Sequence, residues 1–392
     1  MAADAANLRP PGETPHADVL RRAGWTALAL GAPGLVTAAL LAPHAVGGAA
    51  SQDWPPFVLV SGLLALGLVA QDDGLFDAAG ARMAGMARGG RSLFVMCAVL
   101  VAVVTAVLNL DTSVAFLTPV LVVAARRRRT DEAPFLYLAV FLSNGASLLL
   151  PGSNLTNLIV LGALHQSGSA FVSAMALPWL AGAVAVSAVV ALVWRRSLRH
   201  PGERGDGPVH VRVGPGLVGV LAAIVAMLVL SPAGGAIVAL AAGAAAAAWS
   251  LWRRRLTLRR LEGTVNLPMV GGLFSVAACF GTLGRIWSGP AQLLGHASSA
   301  ATAVAGAVAS VVVNNLPAAS LLAARPPAQA HALLIGLNLG PNLAVTGSLS
   351  AILWLQVSRT VDAAPSVWRY SVLGAVVAPV SIALALLALA VH

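Results

Sequence analysis

The chain has 392 residues, 58% of them hydrophobic and 10% charged, with a mean hydropathy of +0.85. Soluble domains carry about 25% charged residues, so this composition is that of an integral membrane protein. Net charge is +10 and all 24 basic residues are Arg; without Lys there is no GxxxxGK[ST] phosphate loop, and the chain is not expected to hydrolyse nucleotide itself.

Residues 1–22 are polar, contain Pro and end in Arg21-Arg22, which reads as a retained cytoplasmic tail. Apolar runs of spanning length then cover residues 24–43, 55–70, 134–164, 171–194, 214–231, 234–252, 266–284, 329–357 and 368–391. Nine crossings place the termini on opposite sides, the N-terminus in the cytoplasm. Asp72 and Asp73 close the second run and are expected among the lipid headgroups. The run 92–125 is not a crossing: its 34 residues would make one helix of about 51 Å against a hydrocarbon core of about 30 Å. Its middle is polar, Asn109-Leu110-Asp111-Thr112-Ser113, and Arg flanks both ends (Arg82, Arg88, Arg91; Arg126 to Arg129). Positive charge marks the cytoplasmic face, so the segment is expected to enter and return as a re-entrant hairpin with its tip near mid-membrane.

The next run holds GASLLLPGSNLTNL at 145–158, whose skeleton recurs as GPNLAVTGSLSAIL at 340–353. Gly145, Pro151 and Gly152, and again Gly340, Pro341 and Gly347, are expected to break the helices 134–164 and 329–357 inside the membrane. Half-helix ends expose N–H and C=O groups, which lipid tolerates only where they line a protein cavity. A second polar break, Asn314-Asn315-Leu316-Pro317, marks a hairpin at 297–324. Carrying the charge count forward, only Arg285 and Arg325 fall outside, so this hairpin enters from the opposite face. The order helix, helix, hairpin, broken helix, helix thus occurs over 23–194 and again over 235–392, with an inverting span in the linker 195–234. The expected fold is an all-α polytopic membrane protein of inverted-topology repeats, an architecture of secondary transporters.

Of the 14 acidic residues, Asp111 alone lies deep within an apolar run, where a carboxylate costs about 2.5–3.5 kcal/mol on insertion scales. Two uses offset that cost: capping the returning half-helix through the amides of Thr112, Ser113 and Val114, or binding a proton or cation. Asn109, Thr112, Ser113, Asn144, Ser147, Ser153, Asn154, Thr156, Asn157, Asn314, Asn315, Asn338, Asn342, Thr346 and Ser348 supply neutral donors and acceptors around it, and each serves equally well as a plug for broken backbone or as a ligand. Cys97 and Cys279 lie in apolar runs and read as small buried hydrophobes; His165 and His331 are single and form no metal pair. The Arg clusters border apolar runs and read as cytoplasmic anchors rather than nucleic-acid patches. No HExxH or GxSxG motif is present and no second buried carboxylate partners Asp111, so an intramembrane enzyme is not expected. A channel is the remaining alternative class, which the repeat disfavours.

The stretches NLDTSVAFLTPV (109–120), SLLLPGSNLTNLIV (147–160), VVVNNLPAASLLA (311–323) and LIGLNLGPNLAVTGSLSAILWLQV (334–357) resemble the arsenite permease (arsenical pump membrane protein) family of the ion transporter superfamily, which also holds sodium/proton antiporters and dicarboxylate/citrate symporters. The resemblance runs through nearly the whole chain after about residue 55. It implies an inner (plasma) membrane permease that extrudes arsenite or antimonite on the proton gradient, in some cases with a separate ATPase subunit, and needs no cofactor. Where the family pattern carries Asp in both broken helices, this chain has Asn144 and Asn338; the first hairpin tip keeps Asp111. The resemblance also implies a small inorganic or organic anion or oxyacid as substrate and proton or sodium as coupling ion. A sodium-coupled organic anion carrier and a sodium/proton antiporter are the alternatives within the superfamily.

Overall fold

The computed structural model describes residues 15–164, 166–199 and 214–391, so His165, Arg204, Arg212 and the start of the N-terminal tail lie outside the described residues. Among those described there are eighteen α-helices and no strand. The first half contains α1 (Pro15–Leu41), α2 (Pro43–Asp72), α3 (Leu75–Met86), α4 (Gly90–Val107), α5 (Leu110–Arg127), α6 (Ala133–Ala146), α7 (Leu155–Leu164) and α8 (Gly168–Val193). A connecting helix α9 (Pro215–Val229) follows. The second half contains α10 (Pro232–Trp252), α11 (Leu258–Val265), α12 (Leu267–Ile286), α13 (Gly289–Gly295), α14 (Ser299–Val313), α15 (Asn315–Leu322), α16 (Ala330–Leu339), α17 (Leu349–Arg359) and α18 (Val367–Ala390). Among the described residues seven helical stretches are long and apolar enough to cross a membrane.

Both hairpins and both broken helices are present. α4 packs on α5 across a break at Leu108-Asn109, and α14 packs on α15 across Asn314. α6 and α7 are separated by a 3-10 turn, Pro151–Ser153; α16 and α17 are separated by two, Gly340–Leu343 and Val345–Gly347. The hairpins are unequal. α4 and α5 have 18 residues each, about 27 Å at 1.5 Å per residue, so each arm alone nearly matches the hydrocarbon thickness. α14 and α15 have 15 and 8, about 22 and 12 Å.

Other expectations shift. α1 starts at Pro15, so the end of the expected tail is helical. α2 begins at Pro43 and runs straight through Pro55 and Pro56, where the sequence suggested a helix start; its 30 residues include Ser51-Gln52-Asp53. Asp53 is 1% exposed, so Asp111 is not the only carboxylate inside the helical bundle. α3 was not expected. It starts at Gly74, whose φ of 78° lets the chain turn at no Cβ cost, and its C-terminal carbonyl at Ala84 accepts a bond from the buried Arg128. Arg128 therefore ties the end of α5 to α3. The α11–α12 junction is a left-handed Asn266, whose side chain caps α12 through the Met269 amide.

α6 and α16 are buried on nearly every side, as helices apolar all round should be. The outer helices show lipid-facing stripes instead, such as Val95, Val99 and Val103 on α4. α2 and α10 approach through glycine: a Cβ on Gly243 would stand 2.5 Å from the Gly62 carbonyl oxygen. Small residues at such crossings are how helices pack where no hydrophobic force drives them together. Asp72 pairs with Arg260 at 2.9 Å and Asp73 with Arg255 at 3.8 Å, which puts the end of α2 and the Arg253 to Arg260 cluster in one layer.

Candidate transport site

The breaks do not leave bare backbone. Around the first, Ser147 O accepts from Ser153 Oγ and Asn157 Nδ2, both at 2.7 Å, and Leu150 O accepts from the same two side chains. Ala146 O takes the Trp179 indole N–H of α8 at 3.0 Å. Around the second, Pro341 O takes the Tyr370 hydroxyl of α18 at 3.1 Å. The expectation of exposed half-helix ends is thus corrected: side chains of the same segment and of the following long helix satisfy these carbonyls, which buried backbone requires.

The freed amide and hydroxyl side chains meet each other across the two halves. Asn338 Oδ1 accepts from Ser147 Oγ at 2.7 Å and from Asn154 Nδ2 at 2.5 Å, while Asn338 Nδ2 donates to Asn157 Oδ1 at 3.0 Å. Asn144 Nδ2 donates to Asn342 Oδ1 at 2.9 Å, and Asn342 Nδ2 to Phe141 O at 3.2 Å. All five asparagines, with Ser147, are at most 2% exposed. The contact contains no charged side chain. Interhelical bonds of this kind average about 0.6 kcal/mol in membranes, so the set biases the two halves together by about 3 kcal/mol, a gap that rearrangement can cross.

The tip of hairpin one joins this contact. Ser143 Oγ, beside Asn144, donates to Ser113 Oγ at 3.2 Å. The N-cap of α5 is Asn109, whose Oδ1 accepts the Thr112 amide at 2.7 Å at a φ of 153°. Asp111 is therefore not the cap. It is half-buried and has no hydrogen-bond or ion-pair partner among the described residues. Four buried polar atoms of hairpin one and of the first broken helix are also unpartnered: Asn109 Nδ2, Thr112 Oγ1, Asn144 Oδ1 and Thr156 Oγ1. Each such group costs about 1–3 kcal/mol, and each is offset when a solute supplies the bond.

Other expected site residues lie elsewhere. Asn314 caps α15 through the Leu316 amide at a φ of 75° and donates to Thr346 O at 3.2 Å, and Thr346 Oγ1 donates to Val311 O, so hairpin two is tied to its own broken helix. Asn315 is buried in α15; Ser348 and Ser350 bond each other at 2.7 Å. The glycines serve packing. A Cβ on Gly152 would overlap Met227 of α9 and approach Leu59 of α2, one on Gly145 would meet Val186 of α8, one on Gly340 would overlap Ala307 of hairpin two, and one on Gly347 would stand 2.6 Å from Pro341 Cα. None of these four faces the asparagine contact. Trp179 and Tyr370 were missed from sequence because an aromatic in a long apolar helix carries no local mark of a polar partner. Among the described residues no group of three His, Cys, Asp or Glu could hold a metal ion.

A model of the citrate transporter family matches residues 20–346 of the chain. The arsenical pump membrane protein of Escherichia coli is 24% identical over 338 residues, 78% of each chain. An uncharacterised transporter of Mycobacterium tuberculosis is 28% identical over 371 residues, 85% of each chain. The crystal structure of the Alcanivorax borkumensis YdaH transporter, described as having an unusual topology, aligns with a TM-score of 0.55 at 15% identity over 96% of this chain and 98% of that one, a likeness of fold.

Proposed function

This chain belongs to the citrate transporter family, and from that premise we propose that it is a secondary active transporter extruding arsenite or antimonite on the proton gradient by alternating access. It is a multi-pass membrane transporter with arsenical pump relatives. The observation that carries the arsenite reading is the charge-free contact of Asn144, Ser147, Asn154, Asn157, Asn338 and Asn342 between the broken helices. Arsenite near neutral pH is mostly the uncharged trihydroxide, a solute of three hydroxyls that amides and hydroxyls can replace water around. A citrate or dicarboxylate anion asks instead for a cationic side chain, and the contact holds none. The unpartnered atoms of Asn109, Thr112, Asn144 and Thr156 are the groups such a solute would bind, and Asp111 in the first turn of α5 is the proton carrier.

In this reading the halves 23–194 and 235–392 are inverted repeats rocking about the asparagine contact, the N-terminus is cytoplasmic and the protein resides in the inner membrane. A separate ATPase subunit is compatible with it and not required by it. Everted membrane vesicles given arsenite, antimonite, citrate or succinate, with and without sodium, under an imposed proton gradient test the assignment. Arsenite and antimonite accumulation that collapses with the gradient supports it; sodium-dependent citrate or succinate uptake with no arsenite movement replaces it with the organic anion carrier.

A further inference from the structure

Asp53 sits in α2 at 1% exposure, and neither carboxylate oxygen has a hydrogen-bond partner. The Ser320 hydroxyl of α15, also 1% exposed, lies beside it without reaching hydrogen-bond geometry and is unpartnered too. Arg285 of α12 is the neighbouring charge. A Cβ placed on Gly281 would stand 3.2 Å from Asp53 Oδ2 and 3.3 Å from Arg285 Nη1, so both groups border the space that this glycine leaves open. Yet the guanidinium is engaged elsewhere: Nη1 donates to Gly281 O at 3.0 Å, and Nη2 to Gly48 O at 2.9 Å and Gln52 Oε1 at 2.6 Å.

Gln52 is the other end of the device. Its Nε2 donates to Ile159 O of α7 at 2.9 Å and to Ala323 O at the end of α15 at 3.0 Å. One side chain of α2, held by Arg285, thereby links the broken helix of the first half to the hairpin of the second. Among the described residues Arg285 is the one charge acting on the carboxylate. α7, α9, α10 and α15 carry no ionisable group; α1 carries such groups only up to Arg22. α3 and α5 meet α2 towards its far end, where Gly67 touches Thr112 and Phe116, and there Asp72 and Asp73 are taken by Arg260 and Arg255. Arg325 donates to the Arg285 carbonyl.

We propose that Asp53 is a second proton-binding site of the transporter, at which proton loss draws Arg285 off Gln52 and onto the carboxylate, unlatching α7 from α15. A buried carboxylate with no bond on either oxygen is costly, and two things relieve it: a proton on one oxygen, or the adjacent guanidinium. The first leaves Arg285 on Gln52, the arrangement seen here. The second takes from Gln52 the acceptor contact that orients it between the two carbonyls. The proton exchanges with water; no other atom is transferred. This rests on the proton-coupled reading only for its effect on transport, not for the site itself.

The test uses the full-length protein in vesicles of phosphatidylethanolamine and phosphatidylglycerol. Infrared difference spectra across a pH titration are expected to show a protonated-carboxyl band that Asp53→Asn removes and Asp111→Asn leaves in place. Arg285→Gln, which keeps a hydrogen-bonding side chain, is expected to move the pH at which that band disappears by about one unit or more. Arsenite efflux driven by a pH gradient is expected to fall at least about tenfold in Asp53→Asn. A band unchanged in Asp53→Asn and unmoved in Arg285→Gln overturns the proposal. Should the parent move no arsenite, the functional reading fails while the band still judges Asp53.

Discussion

Asn109 and Asn314 each turn a hairpin at positive φ, 153° and 75°, and each caps the helix that follows with its own side chain. Two residues on, the first hairpin has Asp111 and the second has Leu316, 6% exposed. The first tip reaches the asparagine contact through Ser113 and Ser143, with unpartnered atoms at Asn109 and Thr112; the second is tied to its own broken helix through Thr346. The same turn chemistry therefore serves two ends. The first tip presents an acid and vacant hydrogen-bonding capacity, while the second tip is tied down and the vacant hydroxyls of its hairpin, Thr302 and Ser320, lie along the arms. A symmetric architecture need not make its two gates equivalent.

The largest expected effect is at the node that joins the halves. Asn338→Ala strands Asn157 Oδ1 and takes one bond each from Ser147 Oγ, which keeps Asn144 O, and from Asn154 Nδ2, which keeps Ser147 Oγ; a buried group left alone costs about 1–3 kcal/mol, so arsenite efflux should fall at least about tenfold, with a lower thermal midpoint in detergent. Gly152→Leu follows. Its side chain would collide with Met227, so overpacking of about 1–3 kcal/mol should reduce the folded protein recovered from membranes, and not transport alone. Removing the caps sharpens the contrast between hairpins: Asn109→Ala and Asn314→Ala should each lose about 1 kcal/mol by thermal unfolding, but only Asn109→Ala should alter the pH profile of efflux. A finer matched pair is Thr112→Val and Thr302→Val, since both hydroxyls are buried and unpartnered on opposite hairpins. Replacing an unbonded hydroxyl by a methyl of the same shape is neutral or stabilising, so both variants should fold. Thr112→Val alone should slow arsenite exchange, and an equal slowing in Thr302→Val would break the comparison.

What the sequence showed follows from where the physics is local. Proline, glycine and asparagine break a membrane helix wherever they cluster, so the turns at Asn109, Pro151, Asn314 and Pro341 were legible, and so was the second copy of the pattern. Asp53 was not. Ser51-Gln52-Asp53 before Pro55-Pro56 looks like a loop leading into a helix start, because Pro favours the first turn; the earlier Pro43 occupies that position instead. The available signal was a charge left over: Arg285, just past the apolar run 266–284, with no partner assigned to it. The packing partners of the glycines were not legible either, because what a missing Cβ faces is decided by helices distant in sequence, such as α9 across from Gly152. The structure likewise changes what restoring the family's carboxylates would do. Asn144 and Asn338 each donate two bonds through Nδ2. An ionised Asp at either position would face acceptors, so Asn144→Asp with Asn338→Asp should weaken the contact as well as add an acid.

Solute is proposed to bind the neutral contact while Asp111, unpartnered at the tip of hairpin one, carries the proton. Arsenite efflux driven by a pH gradient and arsenite exchange at equal pH, measured in the same vesicles for the parent and Asp111→Asn, test it most directly. Because Asn109 is the cap, Asp111→Asn leaves the helix start intact: exchange should persist near the parent rate while gradient-driven efflux falls at least about tenfold. Undiminished gradient-driven efflux, or an equal loss of both activities, would contradict it.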